Sequence, residues 1–221
     1  MTVTTAPFKI SGMHIPDGFL SPETCVASYA VAFPFVYYSF KRVIREEHLA
    51  RLGVLSALSF VVMMINIPIP GGTSGHALGT SLLAILFGPW KAVASLSVVL
   101  ALQAIIFGDG GVTTYGANLI TMGIIPAFVG YWTWLITRKR EKLSYFLSGY
   151  VSLVFSSLIA ALILGLQPMI FHHGALPLYF PYGFKITVPA MLVPSLLFFA
   201  PLEGILNLAV LSYIKKNEKG N

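Results

Sequence analysis

LSYFLSGYVSLVFSSLIAALILGL, residues 143–166, carries no charged side chain and is longer than the roughly 20 residues that a helix needs to cross a hydrocarbon layer about 30 Å thick. Similar apolar stretches flank it at 22–40, 52–66, 76–87, 91–107, 117–136 and 188–214. The seven runs are separated by loops, with the longest before the last run, which predicts an all-α integral membrane protein of about seven transmembrane helices. The second and third runs are short for full spans, so they are expected to be tilted, partly re-entrant or lengthened by a turn at each end. The membrane domain is read as residues 13–214. It follows an N-terminal extension, residues 1–12, and precedes a short basic cytoplasmic tail, residues 215–221. The extension has no apolar core of the length a secretory signal requires.

The composition agrees with a lipid solvent. Apolar residues make up 56% of the 221 and charged residues only 10%, against roughly 25% charged in a soluble domain. The net charge of +6 does not indicate nucleic acid, because the basic residues sit in short clusters between apolar runs, as topogenic loops do. The single cysteine, Cys25, can form neither an internal disulfide nor a thiolate cage and reads as a small buried residue.

Charge also orients the chain. With seven spans, Lys9 and Lys185 fall on one side and all the other lysines and arginines on the opposite side. The positive-inside rule makes the second side cytoplasmic, so the N-terminus is expected outside and the C-terminus in the cytoplasm, in a multi-pass protein of the cell membrane. His14, the glycine-rich turn before His76, the Gly108-Asp109-Gly110-Gly111 loop and His172-His173 then share the outer face. His48 falls inside and reads as solvated. Ligand capture therefore belongs outside.

Three strings carry the chemistry. In Met13-His14-Ile15-Pro16-Asp17-Gly18-Phe19-Leu20-Ser21-Pro22, the prolines discourage helix, Asp17-Gly18 signals a turn, and Ser21-Pro22 supplies an N-cap and first helical residue. His14 on such a lead-in is either a metal ligand or simply a solvated side chain. In Pro70-Gly71-Gly72-Thr73-Ser74-Gly75-His76, glycine permits close backbone approach and can aim His76 at an outer site, although a histidine satisfied by backbone is the plainer reading. The GK[ST] ending of a phosphate loop is missing, and the GxxxG spacing lies in a loop rather than in an apolar run. In the third string, Asp109 among glycines is either a turn former or a carboxylate that orients a ligating histidine. Gln103 and Asn118, at helix ends, either support it or make ordinary interhelical hydrogen bonds. Glu203 is the acid at membrane depth, where function and helix packing are both open.

Together the strings are similar to those of the CbiM/NikM family, the substrate-specific S components of energy-coupling-factor (ECF) transporters for cobalt and nickel. The resemblance covers most of the chain from Met13 onward. It implies a non-enzymatic transport subunit whose substrate is Ni(II) or Co(II), bound by the Met13 amine, the backbone and ring nitrogens of His14, and His76. Four nitrogens of this kind suit Ni(II) well and also accept Co(II). It further implies a transmembrane coupling (T) subunit, two cytoplasmic ATPases and often a small additional membrane subunit. Small residues of the first helix, Ala27, Ser28 and Ala32, are expected to face the coupling subunit, to face lipid or to pack within the chain. An attached extension would turn the Met13 amine into a weakly donating amide, so the functional chain is expected to begin at Met13. Two rival classes are weaker: an intramembrane enzyme lacks an HExxH or nucleophile–base pair, and a stand-alone channel lacks a path of intramembrane charges.

Overall fold

The computed structural model describes residues 13–43, 48–69, 73–174 and 176–218. The extension 1–12, the Pro70-Gly71-Gly72 turn and the tail end 219–221 lie outside the described residues, as do 44–47 and 175.

Helix α1, Pro22–Val43, starts as its sequence requires: the Ser21 hydroxyl accepts the Thr24 N–H at 3.2 Å, Glu23 lies in the first turn, and Lys41 and Arg42 lie in the last. Helix α2, Leu49–Met64, leads into a ribbon of two short strands, β1 (Ile67–Ile69) and β2 (Thr73–Gly75), paired antiparallel. Helix α3, Thr80–Phe87, ends at Gly88, and Pro89 begins α4, Pro89–Phe107, whose last turn, Gln103–Phe107, is a wide π turn. Helix α5, Tyr115–Thr137, contains a second π turn at Leu119–Ile124, directly after Asn118. Helix α6, Glu141–Ile170, is followed by the ribbon of β3 (His172–His173) and β4 (Leu176–Pro177). Helix α7, Phe184–Asn217, has Pro189 and Pro194 in its first half and a third π turn at Ser195–Phe199.

Counted through their π turns, the described residues form seven helices, and each predicted apolar stretch overlaps one of them. Helices α4 to α7 are long and apolar enough to cross a membrane, whereas α2 is apolar but shorter. The protein is mostly helical rather than all-α. The α2–α3 connection is not helical: its described backbone pairs as a ribbon, with Pro68 in the first strand.

Helix α6 is the central packing element, lying against α5 and both halves of α7. Its Ser144, Ser148, Ser152 and Ser156 recur every four residues and are fully buried, a narrow stripe that lets neighbouring helices approach closely. Helix α1 packs on α4 and α5. Ser28 and Ala32 are buried in this packing, so of the three small residues expected to face a partner, lipid or the chain itself, only Ala27 remains on the outer face. Cys25 is free and buried, as expected.

Candidate metal centre

The lead-in segment before α1 is folded into the protein. Met13, His14, Ile15 and Leu20 are all buried, and Ile15 and Leu20 join Cys25, Ala117, Leu164 and Phe180 in a small apolar cluster. With Pro16 in its middle and Pro22 opening α1 after it, the segment does not form a helix, so side chains from elsewhere satisfy its backbone. The Asn118 amide does most of this: Oδ1 accepts the Ile15 N–H at 2.8 Å and Nδ2 donates to the Ile15 carbonyl at 3.0 Å. The Thr114 hydroxyl donates to the same carbonyl, and Gln167 Oε1 of α6 accepts the Ser21 N–H at 2.9 Å.

Asp17 fastens the segment to the α4–α5 loop. Its carboxylate accepts the N–H groups of Val112 at 3.1 Å and Thr113 at 2.8 Å, and the Thr113 hydroxyl as well. Desolvation pushes this carboxyl up, but the hydrogen bonds from Thr113 and Val112 outweigh it and hold it below its ordinary range. Gly110 has φ of +88°, and a Cβ there would stand 3.2 Å from His14 Nδ1 and 3.1 Å from the Asn118 amide nitrogen. Glycine is what allows the loop to close over His14.

His14 and His76 meet beneath this loop, with ring centroids 5.0 Å apart. His76 comes from the segment between β2 and α3. It is fully buried rather than at a free loop end, and Gly75 before it lies under the Phe199 ring, where a Cβ would come within 2.4 Å. The His76 Nδ1 lies 3.0 Å from the Ala77 carbonyl, which assigns the ring proton to Nδ1 and leaves the Nε2 lone pair free. The Nε2 atoms of both histidines are buried without a hydrogen-bond partner.

Burial lowers the His14 ring to about 4. Burial, reinforced by His14, lowers His76 to about 3. Both rings are therefore neutral at pH 7 with lone pairs available, the state in which imidazole binds a transition metal. His14 Nε2 lies 3.7 Å from Asp109 Oδ2, too long for a hydrogen bond, and a neutral ring makes no ion pair there. Burial pushes the Asp109 carboxyl up, with partial opposition from His76.

The predicted residues thus separate by role. His14, His76 and Asp109 converge, while Met13, next to His14 in the chain, is buried in the apolar core. Asn118 holds the Ile15 backbone rather than a histidine ring. Gln103 is fully buried with both amide atoms unpartnered, and its carbonyl accepts the Asp109 N–H at 3.0 Å, so it anchors the loop through its backbone. His172 and His173 are exposed in β3, apart from the buried pair. Asp17, Thr114 and Gln167 were missed as positioning residues. Asp17 sat in plain view within the motif and reads locally as a turn, whereas Thr114 and Gln167 carry no sequence signal. Among the described residues no group of three or more His, Cys, Asp or Glu side chains is placed to hold a metal ion.

Comparison with known proteins shows the family. Residues 14–220 match the family described as the cobalt uptake substrate-specific transmembrane region, CbiM. The chain is 40% identical to the fused nickel transport protein NikMN of Rhodobacter capsulatus, with 93% of the chain aligned, and it spans 62% of that protein's length. It is 33% identical to the cobalt transport protein CbiM of Lachnoclostridium phytofermentans, covering 91% of this chain and 82% of the relative. A crystal structure of a truncated transition metal transporter superposes with a TM-score of 0.88 at 39% identity, covering 92% of this chain and 99% of that one. A multi-pass membrane protein with two neutral buried histidines under a pinned N-terminal segment, this chain belongs to the CbiM family of cobalt-uptake substrate-specific transmembrane components.

Proposed function

We propose that the protein is the metal-capturing S component of an ECF importer for Ni(II) or Co(II). The observation that carries this reading is the buried, neutral pair His14 and His76, with ring centroids 5.0 Å apart and His76 Nε2 unpartnered, in a chain of this family. A neutral His76 with Nδ1–H bonded to a carbonyl offers Nε2 as a ready ligand. His14 chelates through its own amide nitrogen and Nδ1, since only Nδ1 closes a six-membered ring with that amide. Its Nε2–H then faces Asp109, which orients the ring as carboxylates commonly do beside ligating histidines. The free amine of Met13 closes the adjoining chelate ring, in a functional chain that begins at that residue. Four nitrogen donors of this set favour Ni(II) and admit Co(II).

Seven spans, with the N-terminus outside and the C-terminus in the cytoplasm, place this site at the outer face. The ion is captured there, loses its water to the nitrogen donors, and passes inward when a transmembrane coupling subunit and two ATPases reorient the S component. ATP hydrolysis belongs to those ATPases. The exposed apolar side chains of α1, among them Val26, Val31 and Phe33, are available to lipid or to the coupling subunit.

Titration calorimetry of Ni(II) into the detergent-purified protein beginning at Met13, wild type against His76→Ala, tests the site. One tight equivalent in the wild type and none in the variant is the expected result. Equal affinity in both removes His76 from the ligand set.

A further inference from the structure

Glu203 is a fully buried acid that the metal-site reading does not use. From α7 its carboxylate faces the start of α3. Oε2 accepts the Leu78 N–H at 2.6 Å, while Oε1 accepts the Gly79 N–H at 3.0 Å and the Ser81 hydroxyl at 3.2 Å. The N–H groups at a helix start have no intrahelical partner, and a carboxylate there also meets the positive end of the helix dipole. One turn further along α7, Asn207 Nδ2 donates to the same Ser81 hydroxyl at 2.9 Å and to Ser148 Oγ of α6 at 3.1 Å, which braces the arrangement from behind.

The Leu78 N–H and the Ala77 carbonyl belong to one peptide group, and that carbonyl is the acceptor of His76 Nδ1–H at 3.0 Å. In a trans peptide the N–H and C=O point in opposite directions, so a strong bond from Glu203 on one side fixes where the acceptor points on the other. The carboxylate also polarises the peptide and strengthens the carbonyl as an acceptor. We infer that Glu203 is the positioning residue of His76: acting through the Ala77–Leu78 peptide, it sets the tautomer of the ring and aims Nε2 at the metal. This rests on the reading of His76 as a ligand. It is the carboxylate–histidine–metal relationship with one peptide group inserted, and it ties metal affinity to the packing of α7 on α3.

The test is Glu203→Gln, which leaves one carbonyl oxygen to accept the Leu78 and Gly79 N–H groups but removes the negative charge that polarises the Ala77–Leu78 peptide. Ni(II) affinity is expected to fall about ten- to hundred-fold, the usual cost of losing a partner of a ligating histidine. In the His76→Ala background the same change is expected to have no further effect on residual Ni(II) binding. The 15N resonances of His76 in the metal-free protein are expected to show Nδ1 protonated in the wild type and a mixture of tautomers in Glu203→Gln. Unchanged affinity in Glu203→Gln, with His76→Ala weakened, overturns the Glu203 proposal alone. An equal loss in both backgrounds also overturns it, because Glu203 then acts on the fold as a whole. Unchanged affinity in His76→Ala removes the ligand reading and this proposal with it. Should Glu203→Gln fail to insert, the wild-type resonances decide, since protonation at Nε2 contradicts the relay.

Discussion

The chain carries two histidine pairs at its loops, and their surroundings are opposite. His172 and His173 sit exposed on a two-residue strand, where His172 Nδ1 lies 3.0 Å from the Gly174 carbonyl of its own turn. His14 and His76 come from segments far apart in sequence and meet in the interior, 4% and 0% exposed, with their Nε2 atoms unpartnered. A histidine dipeptide in an exposed loop looks more like a metal site on paper than two isolated histidines do. What separates the two pairs is cost. Each buried, unsatisfied nitrogen is destabilising by about 1–3 kcal/mol, which an exposed pair in contact with water avoids.

The largest expected effect concerns the donor the two rings lack. In a mature chain beginning at Met13 the terminal amine is a strong donor, whereas with residues 1–12 attached the same atom is an amide. Ni(II) titration of the two forms is expected to show much tighter binding for the trimmed one, and intact mass spectrometry of the native protein is expected to find Met13 first. Equal affinities would mean that the set is completed from another group at this end of the bundle, with Asp109 the nearest candidate.

Next in size is Asn118→Ala. It leaves the buried Ile15 N–H without its partner and removes one of two donors from the Ile15 carbonyl, at a cost of about 1–3 kcal/mol by the usual penalty for a buried unsatisfied group. The expected outcome is a lower thermal midpoint together with weaker Ni(II) binding, because the segment that carries His14 is no longer held. A lower midpoint at unchanged affinity would show that Asn118 serves the fold alone.

Acid provides a gentler probe. The folded-state values of about 4 for His14 and about 3 for His76 lie below the ordinary 6.5, so between these limits the unfolded chain binds more protons than the folded one. Stability contributed by these residues is therefore full above about pH 6.5 and is lost as the pH falls toward 4. Metal-free thermal midpoints are expected to decline over that window in the wild type, with a smaller decline in a His14→Ala, His76→Ala double variant. Equal declines would assign the acid sensitivity to other groups. The smallest effect is expected from replacing His172 and His173 by alanine, which should leave one tight Ni(II) equivalent with unchanged affinity. Loss of that equivalent would reverse the comparison between the two pairs.

The sequence was informative wherever a residue's role depends on its neighbours in the chain. Uninterrupted apolar length located every helix. The prolines and glycines at 16–22, 68–75 and 108–111 located the non-helical connections, and three of those strings contained the residues that converge. Roles set by distant partners were not legible. Nothing about Gln167 in an apolar helix indicates that it holds Ser21, and nothing about Asp17-Gly18 distinguishes a turn from a clamp on the loop at 112–113. Ser28 and Ala32 show the same limit in reverse: small residues on a helix can receive a partner or a neighbouring helix of the same chain, and only the packing of α1 on α4 and α5 decides which.

The sequence by itself determined that this protein lives in lipid as a helical bundle, because burying charge in hydrocarbon is costly enough that composition and spacing leave little choice. It also determined the family, through the string beginning at Met13-His14. The tertiary structure decided that His14 and His76 meet in the interior, that burial keeps both rings neutral there, and that Glu203 on the last described helix grips the peptide next to His76. These are matters of distance and desolvation between groups far apart along the chain, which no local pattern encodes.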